Sequence, residues 1–212
     1  MLIIVFFLST TPDHQGSQYA GYNLVVADLK AAMLPLPQPA SSSSSSPPAM
    51  VYVSNKADPP LQPLAPNQLY AMSNRLLDTP WDKLTRGKAL FRDCLAQAAA
   101  DGDCDDDDDA VARLFLHGLL NDARACAPAT DTGYGVEIEG KLASICISGV
   151  CLREGAPLFG TTTQMVVLAR RDGRLRVFER TLQAGATAEE ERRGLLPDWH
   201  WSEVERFELE LV

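Results

Sequence analysis

The order of elements written in the sequence predicts an α+β domain built on antiparallel strands. Three observations carry this. Short β-rich runs gather towards the two ends of the chain. Two amphipathic helical segments follow each other in the middle. There is no strand–helix–strand alternation, and no glycine-rich phosphate loop follows a strand. The 212 residues are 46% hydrophobic and 22% charged, as in a soluble globular chain with one sizeable core. A single domain over residues 1–212 is the expectation.

Met1 to Leu8 (MLIIVFFL) is strongly apolar but too short to span a bilayer. No Lys or Arg precedes Lys30 to make a signal peptide's basic start, so the run reads as a buried strand or helix stub. Tyr22 to Leu29 is a β-rich strand. An insertion over about 31–49 holds Pro35, Pro37, Pro39, the serines Ser41 to Ser46, Pro47 and Pro48. It cannot bury apolar area, so a disordered, dispensable loop is expected there. Met50 to Ser54 resumes as a strand, Asp58-Pro59-Pro60 is a turn, and Leu69 to Met72 reads as the third strand of a meander.

Thr79, Pro80 and Asp82 spell a helix start, with Thr79 as cap, Pro80 in the first turn and Asp82 completing a capping box. The helix should run to about Ala100, with Leu84, Phe91 and Leu95 on its apolar stripe and Lys83, Arg86 and Lys88 on a solvated face. Gly87 within it suggests close packing. The acidic loop, about 101–109, is expected to be solvated and dispensable, and it lacks the glycine turn of a calcium loop. Val111 to Ala123 is a second amphipathic helix, and Ala143 to Val150 a strand. Gln164 to Ala169 and Leu175 to Glu179 form a hairpin across Asp172-Gly173, and Phe207 to Val212 is a last strand.

Net charge is −9, but without the aspartates at 101, 103 and 105–109 it is −2. The remaining surface is nearly neutral, which excludes a basic nucleic-acid groove. Five cysteines, Cys94, Cys104, Cys126, Cys146 and Cys151, show no C-x-x-C spacing, and only three histidines accompany them. That predicts reduced thiols, no metal site and a cytoplasmic compartment. Cys146 and Cys151 read as buried strand thiols. No run reaches transmembrane length.

The stretch LYAMSNRLLDTPWDKLTRGKALF keeps Tyr70, Ser73, Asn74, Leu77, Asp78, Thr79, Pro80, Trp81, Lys83, Gly87 and Lys88 at fixed spacing. Upstream stand Gly21, Asn23, Leu24 and Asp28, and downstream Phe159-Gly160-Thr161 and Phe178-Glu179-Arg180. In these residues the chain resembles the Transport and Golgi organisation 2 family, named also for an Asn-Arg-Asp-Glu motif. The resemblance implies an αββα four-layer sandwich of the N-terminal-nucleophile hydrolase type. It implies roles in Golgi organisation, protein secretion, and lipid and haem homeostasis, in the cytoplasm with association to Golgi or mitochondria. The family's second-position Cys is replaced by Leu2, Thr162 stands where an Arg follows Phe-Gly-Thr, and no Asn-Arg-Asp-Glu occurs. The resemblance therefore implies an N-terminally truncated, non-catalytic form without a catalytic residue. The rival readings are an amide or thioester hydrolase whose nucleophile segment is missing, a thiol hydrolase using another Cys, and a haem carrier. Asn74, Asp78, Thr79, Trp81 and Gly160 are expected to line a pocket for haem or an acyl/lipid-type small molecule. From the residues alone, Asn74 reads first as a turn cap and Trp81 first as core.

Overall fold

The computed structural model describes residues 2–7, 23–28, 49–54, 57–73, 76–100, 107–127, 136–147, 160–170, 172–184 and 199–210. The apolar start is a strand, β1 (Leu2–Phe7), paired antiparallel with β5 (Thr163–Ala169) in the register Leu2↔Ala169 to Phe7↔Gln164. β5 forms the predicted hairpin with β6 (Arg174–Ala184). Its turn uses Gly173 at φ 90°, a left-handed conformation that suits glycine, and Asp172 Oδ1 accepts from the Arg174 amide at 3.1 Å. The long β6 then serves two partners. Its first half pairs with β8 (Glu205–Glu210), its end with β7 (Trp199–Trp201). The last strand starts two residues earlier than the sequence suggested.

Alternation sets the faces of this five-stranded sheet. Gln164, Val166 and Leu168 of β5 stand in register with Arg180, Phe178 and Arg176 of β6. Val166, Leu168 and Phe178 are sealed against Cys94, Val111, Phe115, Leu116 and Leu120 from the helices. Each such side chain contributes about 1.5–3 kcal/mol by leaving water. The Phe91 and Phe115 rings meet at 4.9 Å, tilted by 52°. The opposite face carries Val177 and Leu175 in register with Phe207 and Leu209, of which the last two are 50% and 55% exposed.

Helix α1 (Asp82–Ala100) begins later than predicted, and the capping box does not form. Thr79 Oγ1 donates instead to the Leu76 carbonyl at 2.8 Å, holding the preceding turn. The Trp81 carbonyl takes the first helical bonds, from Leu84 N at 2.9 Å and Thr85 N at 3.0 Å. Gly87 needs no special room: an added Cβ would meet Ile145 Cδ1 at 3.6 Å, an ordinary contact.

Helix α2 (Asp108–Leu114) starts inside the acidic tract, which corrects the expectation of a solvated loop through residue 109. Asp107 caps it by accepting from Ala110 N at 3.0 Å. The Asp108 side chain is wholly buried, with Arg170 Nη2 at 2.6 Å from Oδ1 and Arg176 Nη1 at 2.8 Å from Oδ2. The second contact is Coulombic rather than a well-angled hydrogen bond. These arginines come from the distant hairpin, so no local signal marked Asp108. Residues 101–106 lie outside the described residues. α2 passes into a wider π-helical turn, Phe115–Leu119, and stops short of the predicted Ala123.

Ala143 to Ile147 are buried but bent, not the predicted strand, and they follow a short helix α3 (Val136–Leu142) that the sequence reading missed. Ser144 Oγ lies 2.6 Å from the Lys141 carbonyl and 2.7 Å from that of Cys146, so a side-chain bond competes with a sheet ladder.

The remaining strands, β2 (Asn23–Ala27), β3 (Met50–Ser54) and β4 (Leu61–Pro63), form a separate antiparallel sheet in that order. The meander is as predicted, but its third strand is 61–63 rather than 69–72. The LYAM backbone is claimed by a turn: Ala71 N donates to Asp78 Oδ1 at 2.9 Å, and Asp78 N to Ala71 O at 3.0 Å. The serine-rich insertion between β2 and β3 falls outside the described residues apart from Ala49. Tyr52 and Ser54 are buried, whereas Leu24, Val26 and Leu61 are exposed. The Tyr52 hydroxyl donates to Asn23 Oδ1 at 2.5 Å and accepts from Leu77 N at 3.3 Å, tying the sheet to the segment before α1.

Candidate functional site

The motif corner expected at the strand-to-helix junction is a tied turn. Asp78 adopts φ 53°, and its carboxylate also holds Lys88 Nζ at 2.6 Å. Thr79 closes the turn on Leu76. Trp81 is half-buried rather than fully core, and its Nε1 donates to the Ala127 carbonyl at 3.1 Å. Asn74 lies outside the described residues.

Trp81 leads inward to a charged interior. Lys83 Nζ sits 5.5 Å from the Trp81 ring centroid, and Lys83 is only 6% exposed. This corrects the solvated face expected for Lys83, Arg86 and Lys88: Arg86 grips Asp122 through Nε at 2.5 Å and Nη2 at 2.7 Å. Burial lowers the Lys83 pKa to about 8, partly offset by the nearby Cys126 and Cys146 thiols. At pH 7 about one tenth of its amine is then neutral, far more than for an exposed lysine.

Contacts that hold the 120–127 loop over this interior include Arg86 to Asp122, Trp81 to Ala127, and Cys146 N to Asp122 O at 2.8 Å. Cys146 is buried in the bend, not in a strand. Its thiol accepts from Gln164 Nε2 at 3.6 Å. Burial pushes the Cys146 thiol up, against the opposing pull of Arg180, Gln164 and Thr161. Burial likewise raises the Cys94 and Cys126 thiols. None of these three is an activated thiolate at neutral pH. Half-buried Gly160 leads into Thr161, whose N donates to Ile147 O at 2.9 Å and whose Oγ1 accepts from Ile147 N at 2.9 Å. Lys83, two residues after Trp81, and Thr161, next to Gly160, both lie within electrostatic reach of Cys146.

Beyond Gln164 stands Arg180, 4% exposed on the inward face of β6. Its Nε and Nη2 donate to Gln164 Oε1 at 2.8 and 2.7 Å, and Nη2 also to the Leu116 carbonyl at 2.8 Å. The guanidinium lies 4.9 Å from the Trp201 ring centroid. Burial lowers its pKa. The sequence reading singled out neither Lys83 nor Arg180. The available signal was their place in the matched motifs, Trp-x-Lys and Phe-Glu-Arg. No group of three or more His, Cys, Asp and Glu able to hold a metal stands among the described residues, and no described helix is long and apolar enough to cross a membrane.

Fold and site together define an α+β protein of two antiparallel sheets, with a cationic, thiol-lined interior beneath a Trp-capped helix. The Transport and Golgi organisation 2 family profile matches residues 7–184. The chain belongs to that family. It is 28% identical over 190 residues to the human Transport and Golgi organization protein 2 homolog, covering 85% of this chain and 60% of the human protein. It is 30% identical over 172 residues to the Bos taurus and Mus musculus homologs, covering 79% of this chain and 53% of each. The chain thus spans a little over half the length of these relatives.

Proposed function

We propose that this chain serves Golgi organisation and protein secretion as a non-hydrolytic binding module for an acyl/lipid-type small molecule, in the cytoplasm at the Golgi or mitochondrial surface. The observation that carries the binding reading is the interior itself. Two cations, Lys83 two residues beyond Trp81 and Arg180 on the inward face of β6, are both buried and both within electrostatic reach of Cys146, which makes this interior cationic. The non-hydrolytic reading rests on the thiols. Cys94, Cys126 and Cys146 are all pushed up by burial, so none presents the thiolate that an acyl-transfer nucleophile needs. The finer fold reading is the αββα sandwich of the N-terminal-nucleophile hydrolase type. It is supported by two antiparallel sheets that each carry one covered face and one exposed apolar row, Leu24 and Val26 on one and Phe207 and Leu209 on the other.

Haem is the second candidate ligand. Burial, with Arg180 and Arg113, lowers the His117 pKa, so at neutral pH its imidazole keeps the lone pair an axial bond requires. With no metal-holding group of three among the described residues, that fit rests on one imidazole. The test is titration of the purified chain with a fluorescent fatty-acid analogue and with haem, alongside amide and thioester substrates. Saturable binding of one ligand without product release supports the proposal. Steady-state turnover of either substrate, or no saturable binding of either ligand, refutes it.

A further inference from the structure

Among the described residues, the arginines that reach inward are partnered by carboxylates, with one exception. Arg170 and Arg176 share Asp108, and Arg86 holds Asp122. Arg180, more deeply buried than these, is held only by neutral groups: the Gln164 amide oxygen, the Leu116 carbonyl and the Trp201 ring. No carboxylate lies at ion-pair distance from it among the described residues. Its Nε and Nη2 are spent on these acceptors, while Nη1 makes no hydrogen bond among the described residues and is not one of their sealed, orphaned polar atoms. A buried cation held by dipoles alone is costly unless something supplies the opposite charge. Cys146 does not, because burial keeps its thiol protonated.

We propose that Arg180 anchors the acid group of a carboxylate ligand, through the guanidinium edge that carries Nη1. The inference rests on the ligand-binding reading above and assigns the acid end of that ligand. A carboxylate matches the site better than a phosphate. It brings a single negative charge to a single guanidinium and a planar group to a planar donor. A dianion would need further donors, but Gln164 Nε2 is already given to Leu120 O at 2.6 Å, and Trp201 Nε1 to Asn121 Oδ1 at 3.2 Å. The Trp201 ring lies 4.9 Å from the guanidinium carbon, and a carboxylate takes its hydrogen bonds in the guanidinium plane, along its edge.

The test uses the full chain with octanoate, octanol and inorganic phosphate as probes. Binding is followed by calorimetry and by the fluorescence of Trp201, assigned with Trp201→Phe. Octanoate should bind saturably and at least tenfold more tightly than octanol, with phosphate weaker still. Arg180→Met should lower octanoate affinity at least tenfold, to the level of octanol. If Arg180→Met does not fold, the wild-type chain still decides: octanoate labelled with ¹³C at its carboxylate should stay ionised to a lower pH when bound than when free. Equal binding of octanoate and octanol overturns the anchor but leaves an apolar ligand site. Tighter binding of phosphate than of octanoate overturns the carboxylate assignment. Unchanged octanoate binding by Arg180→Met, or an unshifted carboxylate titration, also overturns the inference.

Discussion

Lys83 gives the interior a pH signature that can be worked out in advance. An ordinary lysine titrates near 10.5, and burial brings Lys83 to about 8. Below about pH 8 the ammonium is charged in the folded and the unfolded chain, and the fold carries the whole cost of burying it. Between 8 and 10.5 the folded chain has shed a proton that the unfolded chain still holds, so the cost is relieved and stability rises with pH. At about 1.4 kcal/mol per pH unit, the relief is on the order of 3 kcal/mol. The buried thiols work in the opposite direction. Cys94, Cys126 and Cys146 are pushed up, so the unfolded chain loses their protons first and stability falls as pH rises through the thiol range. The two effects separate by difference. Urea unfolding of the wild-type chain and of Lys83→Met should be compared at pH 7, 8, 9 and 10. Lys83→Met should be the more stable at pH 7, and its advantage should shrink by about 2–3 kcal/mol by pH 10. Parallel stability curves across that range would refute the assignment of a depressed lysine to this position.

Other positions give independent checks. Asp108→Ala removes the buried carboxylate that Arg170 and Arg176 share, leaving Arg176 its 3.3 Å contact to Glu208, and should cost about 3–5 kcal/mol in chemical denaturation. Gly87→Ala should raise stability by about 0.5–1 kcal/mol, since the new methyl meets Ile145 at an ordinary distance. Gly118→Ala should lower it, because its Cβ would stand 3.1 Å from Cys94 Sγ within the π-helical turn, and the two melting temperatures should move in opposite directions. Tyr52→Phe removes the hydroxyl that joins Asn23 to Leu77 and should cost about 1 kcal/mol in the same assay, with little change in denaturant dependence.

The sequence by itself determined what depends on near neighbours. Alternation and an Asp-Gly turn are enough to write the β5–β6 hairpin, because its register is set within the turn. The hydrophobic stripe of α1 and the two β-rich runs of the meander were legible for the same reason. So was family membership, since Tyr70 to Lys88 keep their spacing in one continuous segment. What the tertiary structure decided was the fate of groups whose partners lie far along the chain. Asp108 looked like one more solvated aspartate until β5 and β6 brought Arg170 and Arg176 to it. Lys83 looked like a surface lysine, and became an interior amine when the 120–127 loop closed over it beside Cys126 and Cys146. Ala143 to Ile147 has strand composition, but the Ser144 hydroxyl and the Cys146–Asp122 bond turn it into a buried bend. LYAM likewise has strand propensity, yet Asp78 takes its backbone hydrogen bonds. The physical reason is common to all four. Propensity and periodicity report the preference of a segment for its own backbone shape, whereas burial of a charge or of a backbone group is decided by which distant partner arrives to satisfy it.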